Sequence, residues 1–190
     1  IQNTILNQDK KTGFTVIQMD EGVDTGDILY KSKKYDLNLD ETYTELLRFL
    51  FNESSKIINN LLSKIDNKEL CTQKQNNKLA TYTSLIEKKS GEINWDVEAS
   101  SIYAKFRAFS EWPKIYSFFN QKRFIIHDLL VSDYKSTNPG NLEKIDGKIC
   151  VHTSTQNIIL SQIQFDGKKI IDASAYFSNF DLSKINLRTN

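Results

Sequence analysis

Gln18-Met19-Asp20-Glu21-Gly22-Val23-Asp24-Thr25-Gly26-Asp27 decides how the first part of this chain is read. Four carboxylates fall within the eight residues from Asp20 to Asp27, and two glycines interrupt them. On the left, Gly13 to Met19 is β-branched and apolar; on the right, Ile28-Leu29-Tyr30 opens a second apolar run. The pattern reads as strand, tight acidic loop, strand, by which a rigid sheet holds out a reactive side chain at its edge. Gly22 and Gly26 allow the positive φ or the close backbone approach that a ligand-cradling loop needs. An acidic hairpin loop with merely solvated side chains is the plainer alternative, so the neighbouring sequence has to decide.

Working outward, residues 2–8 have short-helix character and Thr12-Gly13 reads as the turn that ends it. Thr15 to Met19 and Ile28 to Tyr35 are the strands that flank the loop. A long helix follows over about 41–65, because Tyr43, Leu46, Leu47, Leu50, Ile57, Ile58, Leu61, Leu62 and Ile65 recur at three- and four-residue steps. Thr42 and Glu45 form a capping-box pattern at its start, with Asp40 as an alternative cap. The stripe is expected to be core. Strand followed by amphipathic helix makes residues 1–66 the end of an open α/β sheet. Residues 67–81 turn polar and lose periodicity, which marks a linker.

A second domain is expected over 82–190. Val97, Ile102, Tyr103, Phe106 and Phe109 make a helix face over about 97–109. Strand-like runs follow at Ile115 to Phe119, Arg123 to Val131, Lys148 to His152 and Asn157 to Gln164. Asn120-Gln121, Asn138-Pro139-Gly140 and Asp146-Gly147 punctuate them as turns, and a short helix closes the chain near 172–179. Several short strands with regular turns suggest a small, mainly β barrel.

Composition narrows the function classes. Hydrophobic residues make up 39% of the chain and charged ones 26%, which fits a polar globular protein; no apolar run is long enough to span a bilayer. Cys71 and Cys150 stand alone with no histidine at ligand spacing, so a disulfide framework and a metal site are both disfavoured and a reducing compartment, cytoplasmic or organellar, is expected. The net charge of +1 is unevenly spread: residues 1–70 hold nine Lys/Arg against twelve Asp/Glu, and residues 71–126 nine against five. A basic second half suits a polyanionic partner. The chain opens on Ile rather than Met, so a piece of a longer protein is expected.

The ordered series Ile1-Gln2, Asp9, Thr12-Gly13-Phe14-Thr15 and then Gln18 to Asp27 resembles the folate-dependent formyltransferases, and within them the methionyl-tRNA formyltransferases. The second half is similar to their OB-like carboxy-terminal domain through Tyr82-Thr83, Ile93-Asn94-Trp95, Arg107-Ala108-Phe109 before Trp112-Pro113, Pro139-Gly140 and Ile163-Gln164-Phe165-Asp166-Gly167-Lys168-Lys169. Asn94, Glu111 and Leu85 depart from the usual Asp, Pro and Lys of that pattern. The resemblance implies a fold class: the end of a Rossmann-like α/β domain followed by a mainly β, OB-like domain.

It also implies an activity, transfer of a formyl group from 10-formyltetrahydrofolate to the amino group of initiator methionyl-tRNA. Such a transfer needs a donor to the developing oxyanion and a route for the amine's proton. Asp24 matches the family's catalytic carboxylate, which orients and charges a histidine and relays protons. Asp20, Glu21, Gly22 and Val23, with Asp24, match the turn whose backbone meets the pterin edge of the folate. The family's catalytic Asn and His lie upstream of the sequence in hand, so this stretch alone is expected to be inactive. His127 and His152 fall on strands of the second half and read as structural. For the tRNA, Lys88, Lys89, Arg107, Lys122 and Arg123 are the chosen contacts, with Lys78 and Lys105 as further candidates. A monomer without metal or membrane contact is implied. Two other readings stand beside it: N-formylation of an amino-sugar nucleotide, and a non-catalytic OB-type nucleic-acid-binding module.

Overall fold

A computed structural model describes residues 1–188. The first elements are α1 (Gln2–Leu6), β1 (Lys11–Thr12), β2 (Thr15–Ile17), β3 (Ile28–Lys31), β4 (Tyr35–Asp36) and α2 (Tyr43–Asp66). β2 pairs antiparallel with β3, and β1 with β4, so the two apolar runs around the acidic loop do form strands. They are shorter than expected. They also pair with each other in two narrow antiparallel ribbons, and no parallel strand joins them among the described residues. The reason is local: a loop this short returns the chain directly alongside itself.

α2 begins as the sequence predicts, with the Thr42 side chain accepting from the Glu45 N–H and the Glu45 carboxylate accepting from the Thr42 N–H. Its stripe is not core along its whole length. Leu46 and Leu61 are buried, but Ile58, Leu62 and Ile65 are 42%, 53% and 43% exposed. The period of 3.6 residues was legible, while burial depends on what packs against the helix. Within the described residues its second half is covered only around Leu61.

The rest of the chain comprises α3 (Ala99–Ala108), β5 (Ile115–Phe119), β6 (Lys122–Lys135), β7 (Leu142–Ile145), β8 (Lys148–Val151), β9 (Gln156–Phe165), β10 (Ile171–Asp172) and α4 (Ala173–Phe177). They build one antiparallel sheet in the order β5-β6-β9-β8-β7, with β10 beside β9. Phe124, Ile126, Leu129, Ile149, Ile158, Leu160 and Ile163 from its strands are almost wholly buried with Ile102 of α3 and Phe177 of α4. Alternation puts those residues on one face, and irregular register in β6 near Asp128 bends the sheet over them.

The expected barrel is not closed among the described residues. β5 and β7 are separate edges: β5 takes only the bridge Glu92↔Tyr116, and the residue before β7 the bridge Asn141↔Asn186. Asn120-Gln121 and Asp146-Gly147 are hairpin turns with positive φ at both central residues, as their composition suggests. The strand β7 went unpredicted because Leu142-Glu143-Lys144-Ile145 carries only two apolar residues. Trp95 is buried, its Nε1 donating to Ser117 Oγ, whereas Trp112 is 54% exposed.

The two parts of the chain share a core, since Ile5 of α1 and Leu46 of α2 pack in the same buried cluster as α3 and the sheet. Arg107 of α3 donates to the Glu41 carbonyl at 3.0 Å, and Thr44 donates to the Glu111 carboxylate at 2.9 Å. No helix among the described residues is long and apolar enough to cross a membrane.

Candidate active-site loop and basic groove

The acidic loop is closed at its base by strand pairing, with Gln18 N–H donating to the Asp27 carbonyl at 2.8 Å. Gly26 is indispensable there, because a Cβ would sit 1.6 Å from the Gln18 carbonyl oxygen. Inside the loop Asp20 acts as a staple. Its Oδ1 accepts from the Gly22 N–H at 3.1 Å and from the Thr25 hydroxyl at 2.7 Å. This is the Asx geometry that makes Asp a turn residue. Asp27 accepts from the Thr72 hydroxyl at 3.3 Å, a structural tie.

Asp24 is held differently. Its backbone lies in the left-handed region at φ 57°, a conformation that costs a non-glycine residue and persists only where its surroundings impose it. The side chain of Gln75 imposes it: one amide nitrogen donates to the Asp24 carbonyl at 2.8 Å and to the Gly26 carbonyl at 2.7 Å. Among the described residues the Asp24 carboxylate has neither a hydrogen-bond nor an ion-pair partner, and it is exposed. A carboxylate on a fixed backbone with open lone pairs is suited to accept a proton or to orient an imidazole.

The stretch expected to be a featureless linker supplies that clamp. Gln73 exchanges two backbone hydrogen bonds with Ile28, at 2.7 and 2.9 Å, running along the free edge of β3. Neither its polarity nor its lack of periodicity signalled this role for Gln75. The backbone of Met19, Asp20, Glu21 and Val23 makes no hydrogen bond to the remainder of the described protein. The loop therefore offers a short row of unpaired amide donors and carbonyl acceptors.

Both histidines are engaged elsewhere. His127 Nε2 lies 2.8 Å from Gln164 Oε1; buried His152 accepts at Nδ1 from the Thr137 N–H and meets the Glu143 carboxylate at 3.1 Å. They are structural groups of the sheet. No group of three or more His, Cys, Asp or Glu side chains among the described residues is placed to hold a metal.

The five basic candidates divide. Lys88, Lys122 and Arg123 line a groove of about 1040 Å³ at the β5–β6 hairpin, together with Lys168 and Lys169 beyond β9. Phe118, Phe165 and Tyr176 form its apolar floor. Arg123 is paired with Asp166 through contacts of 2.7 and 3.2 Å, which raise the Arg123 pKa and hold the Asp166 carboxyl below the usual aspartate value. Lys89 lies instead at a neighbouring cleft beside Trp95 and Asp96.

Arg107 leaves the set: it is 4% exposed, its Nη1 serves the Glu41 carbonyl and its guanidinium sits 5.1 Å from the Tyr103 ring. A residue so placed ties α3 to the start of α2 and cannot reach a phosphate. Lys105 is also diverted, donating to the Glu92 carbonyl at 2.6 Å, and its burial lowers its pKa. Sequence reasoning missed Lys168 and Lys169 as site residues, although their dense run after Phe165-Asp166-Gly167 was the available signal.

Comparison with known proteins identifies the class of protein to which this fold and loop belong. The family described as "Formyl transferase, C-terminal domain" matches residues 85–181, and that described as "Formyl transferase" matches residues 1–61. The chain belongs to the formyl transferase family. Methionyl-tRNA formyltransferase of Clostridium acetobutylicum is 31% identical over 95% of this chain and 58% of its own length; that of Legionella pneumophila is 34% identical over 94% and 57%. The chain thus spans somewhat over half the length of these relatives.

Among solved structures, methionyl-tRNA formyltransferase from Clostridium thermocellum is 26% identical with a TM-score of 0.51, over 90% of this chain and 61% of its own. HypX from Aquifex aeolicus, in complex with tetrahydrofolic acid, shares the fold at 12% identity with a TM-score of 0.70, over 94% of this chain and 32% of its own.

Proposed function

We propose that this chain is the carboxy-terminal part of a methionyl-tRNA formyltransferase, which moves a formyl group from 10-formyltetrahydrofolate to the amino group of initiator methionyl-tRNA. The observation that carries the reading is the juxtaposition in one ten-residue loop of unpaired backbone groups, those of Met19, Asp20, Glu21 and Val23, and an unpartnered carboxylate, Asp24. Bound folate supplies the activated formyl carbon. The loop backbone orients that ligand, and Asp24 holds and passes the proton that the attacking ammonium must lose. The relatives named methionyl-tRNA formyltransferase at 31% and 34% identity support the choice of amine substrate.

In this reading residues 1–66 end the Rossmann-like catalytic domain, 67–81 connect, and 82–190 are the OB-like domain that grips tRNA. Lys88, Lys122 and Arg123, joined by Lys168 and Lys169, bring cations to one groove, which is what phosphate contacts require. Lys89 would extend that surface along the adjoining cleft.

The test is Asp24→Asn in the complete protein, assayed for formyl transfer and for tRNA affinity. Transfer should fall by roughly 10²–10⁴-fold, as for loss of a proton-handling group, with tRNA affinity unchanged. An equal loss of both would sink the role of Asp24.

A further inference from the structure

The side-chain ammonium groups of four lysines of the groove, Lys88, Lys122, Lys168 and Lys169, have no ion-pair or hydrogen-bond partner among the described residues, although beside the hydrogen bond from Arg123 the charge of Lys88 helps to hold the Asp166 carboxyl down. Arg123 and Asp166 neutralise one another between them. Such a rim alone would serve for the outside of an RNA duplex. The floor would not. Phe118 and Tyr176 are half-buried in the groove, Phe118 set edge-on to Tyr116 at 5.7 Å and Tyr176 packed among Phe119, Phe165, Phe177 and Phe180, so that each offers only its remaining solvent-facing side. In an A-form duplex the base faces are stacked inside and side chains meet phosphate, 2′-hydroxyl and base edge. An apolar aromatic floor beneath uncommitted cations is complementary to a nucleotide whose base has left the stack. At about 1040 Å³ the space is also far larger than a lone phosphate occupies.

We infer that the groove bounded by Lys88, Lys122, Lys168 and Lys169 takes an unpaired nucleotide of the RNA substrate, its base lying over Phe118 and Tyr176. The inference rests on the tRNA reading above and adds a recognition step to it. Duplex segments bind through the lysine rim alone, whereas a single-stranded stretch gains the aromatic floor in addition.

The experiment uses the complete protein and two RNA hairpins with the same paired stem, one blunt and one carrying a four-nucleotide unpaired tail, with binding read by fluorescence anisotropy across a salt series. The tail should tighten binding about tenfold, within the range found for one stacked base. Phe118→Ala should remove that advantage while leaving the blunt hairpin and the salt slope as they were. Phe118→Tyr should keep it, which separates stacking from loss of fold. Joint substitution of Lys168 and Lys169 by Gln should weaken both hairpins and lower the salt slope by about two.

A 2-aminopurine in the tail gives an independent reading on the unmodified protein, since stacking quenches it; unchanged emission on binding would overturn the proposal. Equal affinity for the two hairpins, or a parallel loss of both in Phe118→Ala, would overturn it while leaving the tRNA reading intact. If neither hairpin binds, both fail together.

Discussion

The acidic loop and the basic groove both sit at hairpin ends, yet they are built on opposite principles. The loop is a backbone construction: its shape is set by Gly26 against Gln18, by the Asp20 staple and by two carbonyls held on Gln75. Its outward side chains, Glu21 and Val23, support none of this. The groove is a side-chain construction, in which the hairpin only delivers Lys122 and Arg123 to a floor of Phe118, Phe165 and Tyr176. Geometry is therefore concentrated in the loop at a few residues that cannot change. In the groove, positive charge is spread over several cations.

The difference sets an order of expected effects. Gly26→Ala should be the most damaging change, because no rotamer relieves a Cβ placed 1.6 Å from a main-chain oxygen. Displacing the Gln18–Asp27 pairing should cost roughly 1–3 kcal/mol, as for an overpacked site, and abolish transfer. Thermal unfolding and activity of the purified variant check this; a Gly26→Ala protein with ordinary activity would show that the loop is more pliable than described.

Gln75→Leu should come next. It removes two hydrogen bonds from carbonyls flanking the left-handed Asp24, each worth about 0.5–1.5 kcal/mol. The expected outcome is a fall in kcat of about tenfold with the KM for tRNA unaltered, because the groove is untouched. Equal changes in both constants would break the separation between the two regions.

The smallest effect lies at the groove's own ion pair. The Asp166 carboxyl is depressed below its unfolded value chiefly by hydrogen bonding to Arg123. Its stabilisation is therefore present above the unfolded aspartate pKa, near 3.9, and is lost as pH falls through the lower folded value. Both side chains reach solvent, so the gain is under about 1 kcal/mol. Asp166→Asn should flatten the acid limb of the stability profile slightly and leave stability near pH 7 only marginally lower; a large loss there would mean that the pair holds the hairpin in place.

The features legible in the linear order of residues are local. The strand–loop–strand around Asp20 to Asp27, the capping box at Thr42 and Glu45, and the turns at Asn120-Gln121 and Asp146-Gly147 were all legible. Each depends on φ preferences and hydrogen bonds between near neighbours. The helical period of α2 and the alternation in β6 and β9 belong to the same class.

Tertiary structure decided everything that depends on which distant residue arrives beside which. It brought Gln75 to the carbonyls of a loop some fifty residues earlier, |i−j| being 51 and 49. It buried Arg107 beneath Glu41, left Ile58, Leu62 and Ile65 open on α2, and kept the sheet's two edges apart. It also gathered Lys88, Lys122 and Lys168 into one groove from three separate segments. Periodicity shows which face of an element is apolar, but burial and charge clustering are sums over neighbours that the linear order does not contain.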